Sequence, residues 1–172
     1  MDPYLSQALR VIFLVLHILS AVAWLSGLFA DLVFNRLIRS NNERANVIAL
    51  RMAQNRLGGF AGQLGGIGIL ITGFGLIGVA GYGFLGLINP TPSWLVVKQV
   101  VYLLAFVLAL ALIQPASRRL GGALAEAARG GDVAAAQALA VPLERYALFS
   151  HLLVIVNIVF AVWKPTWFVV GG

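Results

Sequence analysis

The sequence predicts an all-α protein: a four-transmembrane-helix bundle with both termini on the outer side. Three observations carry that expectation. The chain has 172 residues, of which 60% are hydrophobic and only 10% charged, whereas soluble domains carry about a quarter charged residues. Four apolar runs each reach the roughly 20 residues needed to cross a bilayer. The arginines cluster between runs one and two and between runs three and four.

The spans are expected at about 11–34, 57–87, 94–113 and 146–170, in one integral membrane domain covering 1–172. Each must be helical, because isolated strands leave backbone groups unsatisfied in lipid. The opening "MDPYLSQALR" has an acidic first charge, and no small-x-small cleavage site follows the long run after Arg10. It reads as the approach to a retained first span. The loop after span one holds Arg36, Arg39, Arg44, Arg51 and Arg56, and the loop after span three holds Arg118, Arg119, Arg129 and Arg145. The loop "GLINPTPS" has no charge. The positive-inside rule makes the arginine loops cytoplasmic, in a multi-pass protein of the bacterial inner (plasma) membrane. The net charge of +6 then reports loop orientation and not a nucleic-acid partner. Trp94, Trp163 and Trp167 fit an outer aromatic belt.

The arginine-rich loops read as helical extensions. An Asn cap precedes Glu43, and Val47, Ile48 and Met52 share a face. Gly130 and Gly131 stop one helix and Asp132 caps the next. Pro115 and Pro142 are expected to kink their helices. In span two, Gly58, Gly62 and Gly66 lie four apart. That spacing gives either a tight helix contact or a bare face for a flat cofactor or quinone.

The absence of cysteine excludes disulfides and thiolate chemistry. At about 1.5 Å per residue, His17, Lys98 and Lys164 each lie about 28–30 Å from the arginine boundary. Asp31 and His151 lie within about 10 Å of it, where they could pair, with Gln63 and Asn35 close by. The two histidines are the only ones. Lying at different depths, they make poor joint ligands to one haem or one metal. Ionisable residues inside a membrane are functional by default, although His17 could simply hydrogen-bond a neighbouring helix and the lysines could snorkel. Trp24 lies two turns from His17 on the same face, with Gly27 near it, so "HILSAVAWLSG" reads as the interior face of span one.

That stretch, His17 through Trp24 to Gly27, resembles the first helix of the HemJ-type protoporphyrinogen IX oxidases, and is similar to the CopD-type membrane domain. "WLVVKQVVYLLAF", from Trp94 through Lys98, and "FAVWKPTW", with Lys164 and Pro165, resemble two further family segments. The resemblance touches three of four spans; where the family carries Arg-x-x-Asn-Glu-x-Pro before the last helix, this chain reads "ERYALFSHLL". It implies a small membrane oxidoreductase of protoporphyrinogen-oxidase type that binds haem b or a porphyrin. On it, His17 is the metal ligand or proton relay and Lys98 its catalytic partner. Trp24, Gly27 and Lys164 belong to the expected cofactor site, to which the glycine face of span two, richer in glycine than the family's, adds Gly62 and Gly66; His17 is expected to matter more than His151. A quinone or a membrane redox partner would take the electrons. The alternatives are a non-catalytic subunit packed on a partner or on a second copy through its glycine helix, and a small-solute or ion transporter.

The topology is testable with single cysteines at Ser93 and Ser40 and an impermeant thiol reagent on intact cells. Ser93 should label and Ser40 should not; the reverse pattern would invert the assignment.

Overall fold

The computed structural model describes residues 2–165 and 167–170. Helix α1 spans Pro3–Arg39 and α2 spans Arg44–Ala80. A short 3-10 turn, Phe84–Gly86, and a two-residue strand β1, Thr91–Pro92, lead into α3, Ser93–Leu108. A π turn at Ala109–Ile113 joins α3 to α4, Gln114–Ala128. Helix α5 runs Val133–Trp163, and β2, Val169–Val170, pairs antiparallel with β1. Four continuous helical stretches, with α3 and α4 counted as one, are long and apolar enough to span a membrane. The chain is therefore an all-α, four-helix membrane protein. Its two ends are called here the terminal end and the arginine end.

Each helix outruns its apolar core. At 37 residues, α1 and α2 are about 55 Å long, against about 30 Å of hydrocarbon. At the arginine end the excess forms a second small core. Leu120, Leu124, Ala136 and Ala140 pack together there, with Met52, Ala123 and Leu143 around them. Asp132 caps α5 through Ala134 N–H at 2.8 Å, as its position in the sequence indicates. Glu43, not a preceding Asn, is the cap residue of α2, and its side chain makes no cap bond. The Arg44 guanidinium donates to the carbonyls of Ala127 and Gly131, satisfying the open end of α4.

At the terminal end, the second span stops earlier than the apolar run does. Helix α2 ends at Ala80 because Gly81 turns left-handed (φ 72°), and Tyr82 N–H reaches back to the Ile77 carbonyl at 3.1 Å. Residues up to 87 instead build a cap over the bundle. Buried Thr91 bonds both the N–H and the carbonyl of Gly83. Buried Ser93 donates to the Pro165 carbonyl at 3.1 Å and accepts from Trp167 N–H at 3.0 Å. Because Ser93 is buried, Ile88 in the same loop, 86% exposed, is the better labelling position for sidedness. The last span likewise ends as a helix at Trp163, and the chain beyond it returns to the cap.

Pro142 lies inside α5. Pro115 follows the π turn directly. A proline ring clashes with the carbonyl four residues earlier, here Ala111, and the widened turn at 109–113 relieves that clash.

The tightest packing joins α1 to α2. Phe13, His17, Ser20 and Trp24, spaced four, three and four apart, face the glycines of α2. A Cβ on Gly75 would meet the Phe13 ring at 2.6 Å, one on Gly68 the Ser20 hydroxyl at 2.2 Å, and one on Gly65 the Trp24 backbone N at 2.7 Å. Only at Gly65 is the obstacle backbone on both sides, since the Ser20 carbonyl lies at 2.8 Å. At Gly58, Gly59 and Gly62 a Cβ would meet nothing within 4 Å. Gly65→Ala should therefore destabilise the protein by about 1–3 kcal/mol. Gly58→Ala should be neutral or stabilising by about 0.5–1 kcal/mol. Melting midpoints of the two variants in one detergent check this, and equal midpoints would refute the packing assignment.

Candidate functional site

Trp24 marks the boundary between two layers of polar groups. It is buried, packing against Ala105 and Val154 and edge-on to Tyr102 at 6.4 Å. The Tyr102 hydroxyl donates to the Gly66 carbonyl at 2.8 Å, a bond that fixes α3 on the glycine helix.

On the terminal side of Trp24, His17 is half-buried and its Nδ1 lies 2.9 Å from Thr72 Oγ1. Thr72 is itself bonded to the Gly68 carbonyl at 2.6 Å. Lys98 is half-buried with its Nζ 5.9 Å from the centroid of Trp94, and the exposed Lys164 places its Nζ 5.8 Å from the same ring. Asn157 on α5 donates to the Lys98 carbonyl at 2.8 Å.

On the arginine side lies a cavity of about 560 Å³ between α1, α2, the π turn, α4 and α5. That volume falls within the about 300–1,000 Å³ of small-molecule sites. Its floor along α2 is the open glycine face, Gly58, Gly59 and Gly62, and ends at Gly66, which packs against the Trp24 ring. Trp24, Ile67, Phe106 and Leu110 make it apolar towards the bundle centre. Gln63, Asn55, Gln114, Ser117 and Arg118 also line it. Widening of the helix at the π turn brings Ala109, Leu110 and Ile113 to its wall.

A connected polar network forms one side of this cavity. Gln54, buried, donates to Asp31 at 2.9 Å and to Asn35 at 3.3 Å. Arg51 donates to Asn35 at 2.9 Å, to the Gln54 side-chain oxygen Oε1 at 2.8 Å, and to Glu144, its ion-pair partner on α5. The network thus ties three helices together, as charges removed from water require. Asn55 and Ser117 add a mutual clasp between α2 and α4: Ser117 donates to the Asn55 side chain at 2.8 Å, and Asn55 donates to the Ser117 carbonyl at 3.1 Å.

His151 completes the wall. It is buried, its Nε2 lies 3.2 Å from where a Cβ on Gly27 would stand, and its Nδ1 has no hydrogen-bond partner. The neighbouring Ser150 hydroxyl is also buried without a partner. Buried polar atoms are nearly always satisfied, so two orphans on residues that line one cavity are unusual. Gly27 is what admits the imidazole so close to α1.

Of the residues singled out from the sequence, the structure gathers Trp24, Gly27, Gly62 and Gly66 at the cavity. It sets His17, Lys98 and Lys164 apart from it, in the layer beyond Trp24. Asp31, His151 and Gln63 share the cavity wall, and Asn35 joins them only through its bonds to Arg51 and Gln54. Sequence reasoning missed Arg51, Gln54 and Glu144 as site residues. A signal was available: Glu144 and His151 are seven apart, and Arg51, Gln54, Asn55, Gly58 and Gly62 follow helical spacing, so each set shares one face. Among the described residues, no group of three or more His, Asp or Glu side chains could hold a bare metal ion. No known protein family, curated protein or solved structure matches this chain.

Proposed function

We propose that this protein binds a flat, largely apolar ring in the cavity on the arginine side of Trp24, with His151 as the residue that ligates or hydrogen-bonds it. The observation that carries this reading is that one cavity is lined both by an open glycine face and by His151, whose ring carries a buried, unpartnered nitrogen. A bare backbone face suits a planar ligand, and a neutral imidazole suits iron. The resemblance to the HemJ-type oxidases favours haem b or a porphyrin. The residues present fit such a group: His151 would hold it through its imidazole, the side-chain-free surface at Gly58, Gly59 and Gly62 would leave room for it, and Arg118 would supply a positive charge to its acidic groups. When bound, a haem supplies one-electron chemistry, and a quinone or a membrane redox partner would exchange those electrons.

The family resemblance assigns the ligand role to His17. We place that role on His151 instead, because His151 lines the cavity whereas His17 stands beyond Trp24. The arginine end is assigned to the cytoplasm of a plasma membrane on the positive-inside rule, which puts the cavity in the inner half of the bilayer. One further observation favours a second reading. Gly58, Gly59 and Gly62 are not covered by another helix of this chain, so a partner subunit or a second copy could pack there.

Absorption spectra and hemin titration separate these readings. The wild type should purify coloured or take up hemin with a defined Soret band. His151→Ala should weaken uptake by more than the about 10–100-fold typical of losing an outer-shell partner. His17→Ala should leave it largely intact. A colourless protein that fails to bind hemin would sink the haem reading and put the subunit reading first.

A further inference from the structure

A second site lies at the terminal end, and it does not rest on the cavity. Lys98 and Lys164 come from different helices, yet both ammonium groups stand within 6 Å of the centre of one indole, Trp94. The chain holds these cations in place. Asn157 pins the Lys98 backbone, and the Lys98 side chain runs one turn back towards Trp94. Lys164 adopts the left-handed conformation (φ 49°), which is uncommon for a residue with a side chain. The Ser93 hydroxyl fixes that turn through Pro165 and Trp167.

Among the described residues, no carboxylate pairs with either of these two charges. The chain has six acidic residues. Asp31 and Glu144 belong to the cavity network, and Glu43, Glu126 and Asp132 lie at the arginine end. Asp2 caps the start of α1, about 22 Å along the helix from His17. Among the described residues, the only ion pair is Arg51–Glu144. A lone lysine near a helix end can snorkel into headgroup water. Two converging on one ring repel each other, and a single anion beside both would offset that repulsion.

We propose that Lys98, Lys164 and Trp94 form a site for the phosphate of an anionic phospholipid. The surroundings favour a lipid over a free anion. Phe160, Trp163 and Trp167 cluster beside the site with ring centres 6.0–6.4 Å apart, Trp167 standing edge-on to the other two. Trp163, Trp167 and Phe168 are exposed, as expected of a belt at the headgroup level. They offer an apolar slope to acyl chains next to the two ammonium groups.

Native mass spectrometry of the full chain in detergent tests this with three probes: phosphatidylglycerol, phosphatidylcholine and inorganic phosphate. Phosphatidylglycerol should be retained in preference to phosphatidylcholine. Each of Lys98→Gln and Lys164→Gln should weaken its binding about fivefold, the worth of one lysine at an anionic surface. Lys164→Arg should restore it. Lys164 is exposed, so its glutamine variant keeps the test valid even where Lys98→Gln fails to fold. Equal retention of the two lipids, or unchanged binding in Lys164→Gln, would overturn the proposal. Displacement of the lipid by inorganic phosphate would assign the site to the free anion and overturn the lipid assignment.

Discussion

The approach of α1 to α2 at Trp24 and Gly65 is the contact on which the remaining architecture depends. Lipid supplies no hydrophobic force between helices, so close packing and hydrogen bonds must do so. Gly65 lets its helix come close enough that even one added carbon would meet the Trp24 backbone at 2.7 Å. The indole then reaches across to Ala105 and Val154 and stands edge-on to Tyr102. One side chain thereby seals the bundle at mid-height. The terminal side of the seal is tightly packed, with Phe13, His17 and Ser20 against glycines or Thr72. On the arginine side, α3 and α4 are set off by the π turn before Pro115, and a cavity opens.

The polar network follows from that opening. Asp31, Arg51 and Glu144 would each be costly if isolated from water. They are tolerated because Gln54 and Asn35 link them, so that every charge has a partner on another helix. The same links fix the cavity's rim. His151 is the exception: it is held by the close approach at Gly27 and left with an unbonded nitrogen.

Much of this was legible in the sequence, and what was not has physical reasons. Span number and helical extensions followed from apolar runs and from Asp132. The inward face of "HILSAVAWLSG" followed from the helical spacing of His17, Trp24 and Gly27. Span ends were overestimated at Leu87 because hydropathy does not register the left-handed Gly81, nor the bonds by which Thr91 and Ser93 fold apolar residues into a cap. The glycines of α2 were recognised, but not divided correctly. Gly65, Gly68 and Gly75 contact α1, while Gly58, Gly59 and Gly62 face the cavity, and spacing alone does not separate two faces of one helix. Depth counting placed His17, Lys98 and Lys164 at one level, and Lys98 and Lys164 do share Trp94. It could not reveal that the cavity lies at the other level, because a cavity arises from the packing of several segments and not from any one of them.

The central claim is that the glycine-floored cavity beside His151 binds a planar small molecule. Solvent extraction of the purified protein, followed by mass spectrometry, tests it most directly when wild type is compared with Gly62→Leu. A Cβ at Gly62 meets nothing in the chain, so the leucine should fill the cavity and leave the fold intact. The account predicts one conjugated small molecule released in near-stoichiometric amount from the wild type and absent from a Gly62→Leu protein with unchanged melting behaviour. Equal yields of the same molecule from both proteins, or none from either, would contradict it.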